Sequence, residues 1–94
     1  MKCMHITIEK TGKHTVSRFT IMQNAYKYKV TGYVVREDGD MFIEAQGEEE
    51  NLEQFIEWCN ISQPWSPKDK SYVTLADGAL RDFDSFEIYV ERVI

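Results

Sequence analysis

A short run near the start of the chain gathers groups that hold anions. Gly12, Lys13, His14, Thr15, Val16, Ser17 and Arg18 stand in a row with no carboxylate among them. Ammonium, imidazole and guanidinium groups favour negative charge, and hydroxyls and free amides donate to phosphate-type oxygens. The residues from Arg18 onward read as a helix. The run therefore ends where a helix presents unsatisfied N–H groups and the positive end of its dipole. The chemistry implied is phosphate or sulfate binding. An arginine at a helix start opposes the dipole, so Arg18 points to a role other than helix stability.

The rest of the chain is charged the other way. Its 94 residues carry a net −5. Residues 1–36 hold a net +6 and residues 37–94 a net −11. Such a split predicts a local positive field on an acidic body. Mutual attraction between the two halves is the alternative account of the same asymmetry. No nucleic-acid partner is expected, because the acidic remainder repels phosphates. Apolar content of 43% and aromatic content of 13% mark a folded chain, and its length suits one domain, residues 1–94. No apolar run reaches membrane-spanning length, and no charged-then-apolar leader opens the chain. A cytoplasmic location is expected.

The elements that position the run follow from periodicity. Met4, Ile6 and Ile8 alternate with His5 and Thr7, which predicts a half-buried strand over 4–8. Phe19, Met22 and Tyr26 recur at helical spacing, with Ala25 and Lys29 beside them, which predicts a helix over 18–29. Ser17 or Thr15 can cap its start. Residues 30–35 are β-branched and aromatic, Asp38-Gly39 is a turn signal, and residues 41–45 return as a strand. Residues 30–46 thus form a hairpin. Glu48, Glu49 and Glu50 suit a helix start. Leu52, Phe55, Ile56 and Cys59 mark one apolar face of a helix over 48–60. A loop with Pro64 and Pro67, a strand over 71–76, a break at Asp77-Gly78 and a short closing strand over 86–90 complete the chain.

The order β-α-β-β-α-β plus a short fifth strand predicts an α+β, ferredoxin-like sandwich: an antiparallel sheet with two helices on one face. In that topology Cys3 and Cys59 stand at opposite ends of their elements, beyond disulfide reach. Cys3-x-His5 shares a strand face, but two ligands without further partners make a poor metal site.

The chain resembles the acylphosphatases over about residues 3 to 91. Gly12 opens and Arg18 closes a loop like the family's. Thr31-Gly32-Tyr33-Val34 stands where the family has its "T-G-tryptophan-V" strand. Asp38-Gly39 matches its hairpin turn and Ala45-Gln46-Gly47 its "A-x-G" ending. Phe83-Asp84-Ser85-Phe86-Glu87-Ile88 looks like its closing "F-S-G-F-E-I" strand. The resemblance implies hydrolysis of the carboxyl-phosphate bond of small acyl phosphates, without metal or organic cofactor. It makes Arg18 the phosphate clamp and Gly12 to Ser17 the cradle. The family's loop is longer and holds a glutamine-glycine pair, absent here, and its water-placing asparagine falls on Arg36. Arginine has only donors and cannot accept a proton from water. Hydrolysis is therefore expected to be weakened, with inorganic phosphate or sulfate still bound. A non-catalytic acylphosphatase-like module that binds an anion or a partner chain is the alternative.

Overall fold

The structure is a computed structural model that describes residues 1–8, 17–38, 40–61 and 73–89. Its elements run β1 (Lys2–Ile8), α1 (Arg18–Lys27), β2 (Thr31–Glu37), β3 (Asp40–Gly47), α2 (Glu49–Ile61), β4 (Val73–Gly78) and β5 (Phe86–Tyr89). The strands form one sheet in the order β4-β1-β3-β2-β5. Two helices packed on a five-stranded, mostly antiparallel sheet make the expected ferredoxin-like sandwich.

Alternation along the strands sorts the two faces of the sheet. Ile6, Ile8, Val34, Met41, Ile43, Ala45 and Phe86 turn inward to the helices and are buried. From α2, Leu52, Phe55 and Cys59 close over them, with Ile56 packed at the margin. That is the apolar face expected from the spacing of these residues. Phe55 meets Phe86 edge to face, ring centroids 6.2 Å apart. The opposite face of the sheet carries Cys3, His5, Thr7, Tyr33 and Glu44, and among the described residues no helix lies on it.

The first helix packs by a different stripe from the one predicted. Ile21 and Ala25 are its buried residues, with Met22 and Tyr28 packed beside them. Phe19 and Tyr26 stand outside, each 55% exposed. The helix carries two apolar stripes, and the one with Phe19 and Tyr26 borders the β5 edge: Tyr26 Oη donates to the Phe86 carbonyl at 3.0 Å. The helix also stops earlier than residue 29. Lys29 adopts a left-handed conformation, φ 57°. Its N–H donates to the Tyr26 carbonyl at 3.1 Å, and the Val30 N–H to that of Ala25 at 2.8 Å. That paired closure satisfies the last carbonyls and turns the chain into β2.

Two details of the sheet depart from the prediction. β4 runs through Asp77 and Gly78, where a break was expected, because both residues stay paired with β1. β5 pairs with β2 in parallel, whereas the other three strand pairs are antiparallel. The physical reason lies in residues 79–85. They cross the end of the sheet from β4 on one edge to β5 on the other. Gln46 holds that crossing at Arg81: its Nε2 donates to the Arg81 carbonyl, and its Oε1 accepts from the Arg81 N–H, both at 2.8 Å. The chain thus reaches the far edge at the end where β2 begins, and β5 runs alongside it. Gly32 also serves this sheet. Its φ is +137°, and an added Cβ would strike the Glu44 carbonyl oxygen, so only glycine fits there.

Candidate functional site

The N-terminus of α1 is built by its own sequence. Ser17 caps the helix from an extended conformation, and its Oγ accepts from the Phe19 N–H at 3.1 Å. Arg18 is the first helical residue. Its guanidinium reaches the closing strand, where Nη1 donates to the Tyr89 carbonyl at 3.0 Å. β5 thus fixes the direction of the arginine.

Arg36 comes to the same place from β2. A cavity of about 420 Å³ is lined by Ser17, Arg18, Phe19, Arg36 and Ile88. Two arginines far apart in the chain therefore face one pocket at a helix start, between apolar walls. Gly12, Lys13, His14, Thr15 and Val16, the remaining members of the predicted cradle, lie outside the described residues. So does the loop that carries Trp65.

A second cluster occupies the face of the sheet opposite the helices, toward the Lys2 end of β1. The Glu44 side chain is only 3% exposed. Arg81 Nη1 donates to both of its carboxylate oxygens, at 3.2 and 3.3 Å, and Tyr33 Oη donates to Oε1 at 3.3 Å. His5 Nε2 lies 3.5 Å from Oε1 and Cys3 Sγ 4.0 Å from Oε2. Burial first, and the Glu44 carboxylate second, push both the Cys3 thiol and the Tyr33 phenol above their ordinary pKa values. A cavity of about 590 Å³ lies over this face, with His5, Tyr33, Glu44, Arg81 and Tyr89 among its walls. The rings of Tyr33 and Tyr89 stack there, centroids 4.6 Å apart.

The sequence reading singled out Cys3 and His5 but found no third partner for them. It missed Glu44 because strand register, not spacing, sets it opposite His5. Nothing in the local sequence of residues 79–85 signals that Arg81 joins them. Both Cys3 and Cys59 are free and buried.

The fold and the Arg18–Arg36 pocket now meet a third observation. The acylphosphatase family model matches residues 15–88. The chain belongs to the acylphosphatase family. A curated acylphosphatase from Bacillus licheniformis is 40% identical over 50 residues, which is 52% of this chain and 56% of that relative's length. The crystal structure of the acylphosphatase from Bacillus subtilis superposes with a TM-score of 0.77 at 26% identity, covering 95% of this chain and 99% of that one. An acylphosphatase structure from Coxiella burnetii gives the same TM-score at 22% identity, covering 94% and 92%, and speaks for the fold alone. Among the described residues, no helix is long and apolar enough to cross a membrane.

Proposed function

We propose that this chain hydrolyses the carboxyl-phosphate bond of small acyl phosphates, and does so slowly. The observation that carries the reading is that Arg18 and Arg36 line one pocket at the start of α1. Water attacks phosphorus, the bond from phosphorus to the bridging oxygen breaks, and that oxygen leaves on the carboxylate. An acyl phosphate dianion and water thus become a carboxylate and a monoanionic phosphate. Helix-start amides and the Arg18 guanidinium hold the phosphoryl oxygens, and fixed donors there stabilise charge as the bond breaks. The family resemblance assigns the rest of the cradle to residues 12–17, of which only Ser17 is among the described residues.

Arg36 sets the pace of the reaction. It adds a second cation beside the phosphoryl group and strengthens binding of the ground state. It supplies no acceptor to orient the attacking water. Tighter ground-state binding alone does not accelerate chemistry. Phe19 and Ile88, 55% and 36% exposed, line the same pocket and offer an apolar seat for the acyl group.

Inorganic phosphate titrated into the protein and followed by NMR tests the binding half of this reading. The expected shifts fall on Ser17, Arg18 and Arg36 and vanish in Arg18→Ala. Shifts absent from these residues would remove the anion site and leave the positive charge of residues 1–36 as an intramolecular match to the acidic remainder.

A further inference from the structure

We propose that Cys3, His5 and Glu44 form a binding site for a zinc-class divalent cation on the face of the sheet opposite the helices. The site is separate from the Arg18–Arg36 pocket and does not depend on acyl phosphate hydrolysis. Cys3 pairs with Gln46, near the Gly47 end of β3, whereas Arg36 pairs with Met41 near its other end.

The geometry comes from register. Cys3 and His5 are two apart on β1 and share a face, and Glu44 of β3 stands directly opposite His5. One ligand atom from each of the three lies within 4.8 Å of the others. Zinc-to-ligand bonds of about 2.0–2.3 Å set tetrahedral ligand atoms roughly 3.3–3.8 Å apart. The 3.5 Å from His5 Nε2 to Glu44 Oε1 already fits, and Cys3 Sγ, 4.0 Å from the other carboxylate oxygen Oε2, comes into the same range by side-chain rotation. A thiolate, an imidazole and a carboxylate together suit zinc and its neighbours rather than magnesium or calcium. Binding replaces the Cys3 thiol proton with the metal and releases that proton to solvent. The thiolate and the carboxylate then balance the dication.

Gly78 is the second observation. It faces Cys3 from β4. A Cβ at this position would lie 2.6 Å from His5 Nε2 and 3.1 Å from Cys3 Sγ. Any side chain there would clash with the His5 ring and press on Cys3 Sγ, so glycine is what lets both ligand groups hold their places. His5 and Glu44 both line the 590 Å³ cavity, which provides a route for the ion and room for water as the fourth ligand.

Arg81 is the competitor. Its guanidinium neutralises Glu44 when no cation is present. The Arg81 side chain is 60% exposed, and its backbone is held independently by Gln46. The guanidinium can therefore leave the carboxylate while the chain stays in place. Its Cζ already lies 5.5 Å from the Phe83 ring centroid, an alternative resting place. A buried carboxylate needs a compensating charge, and the site exchanges one cation for another.

Cobalt(II) chloride titrated into the full-length protein under anaerobic conditions tests the proposal by absorption. The expected result is one equivalent bound, with a thiolate-to-cobalt charge-transfer band, displaced by zinc chloride. Cys3→Ser abolishes the band and Cys59→Ala keeps it. His5→Ala, a change at an exposed side chain, weakens cobalt by about tenfold or more. Arg81→Gln removes the competitor and tightens it. No charge-transfer band in the folded wild type would overturn the site. A band that survives Cys3→Ser, or cobalt affinity that falls in Arg81→Gln, would do the same.

Discussion

Two arginine side chains set the charge of the α1 pocket. Arg18 donates to the Tyr89 carbonyl, so its guanidinium is oriented before any ligand arrives. A hydrogen bond to a charged group contributes about 1.5–3 kcal/mol. Arg18→Ala should accordingly weaken phosphate binding by roughly 10–100-fold in the NMR titration. Arg36→Asn should weaken phosphate less and raise turnover of benzoyl phosphate, because it exchanges a donor-only cation for a side chain with an acceptor. Equal or lower turnover would show that Arg36 does not limit the chemistry. In the proposed reading Phe19 seats the other end of the substrate. Phe19→Ala should cost about 1 kcal/mol in discrimination, roughly fivefold in the preference for benzoyl over acetyl phosphate. An unchanged ratio of kcat/KM values would take the acyl group away from that wall.

At the scale of elements, α2 and α1 differ in how openly their sequences declare their packing. Leu52, Phe55 and Cys59 are fully buried, and no competing apolar stripe exists on α2. Phe55→Ala should destabilise the fold by about 3–5 kcal/mol in urea titrations, and a loss under about 0.5 kcal/mol would contradict its place in the core. α1 offered two stripes, and periodicity alone could not choose between Phe19-Met22-Tyr26 and Ile21-Ala25. The sheet chose: Ile21 and Ala25 are buried against it, and Tyr26 donates to the Phe86 carbonyl at the β5 edge. Lys29, left-handed at φ 57°, was likewise illegible, since glycine usually marks such a closure. Lys29→Gly should stabilise by about 0.5–1 kcal/mol by relieving that conformation. The Cys3-His5-Glu44 cluster shows the same limit more sharply. Half of it is visible as Cys3-x-His5, but the third member depends on which residue the register sets across the strand. The Arg18–Arg36 pairing became legible only through the family resemblance, which fixed both positions before any distance was known.

On the scale of the whole molecule, the two proposed sites lie on opposite faces of one sheet, and the core beneath the helices sets a pH limit on stability. Burial pushes the Cys59 thiol from its ordinary 9.0 up to about 12. The unfolded chain sheds this proton from pH 9.0 upward while the folded chain keeps it. Stability is therefore unaffected by this group below that pH and falls progressively as pH rises toward about 12. The Tyr33 phenol, also raised, acts in the same direction. Urea titrations across this window should show a shallower decline for Cys59→Ala than for the wild type, whatever their difference at neutral pH. Parallel declines would place the alkaline loss elsewhere. The central claim concerns the other end of the sheet: an acylphosphatase fold that keeps the clamp but sets an arginine where the family places its asparagine. The most direct test is the rate of benzoyl phosphate hydrolysis by the wild type and by Arg18→Ala, with inorganic phosphate as the competing ligand. The account predicts slow hydrolysis above the uncatalysed rate, inhibited by phosphate and abolished in Arg18→Ala. Hydrolysis no faster than in buffer, or undiminished in Arg18→Ala, would contradict it.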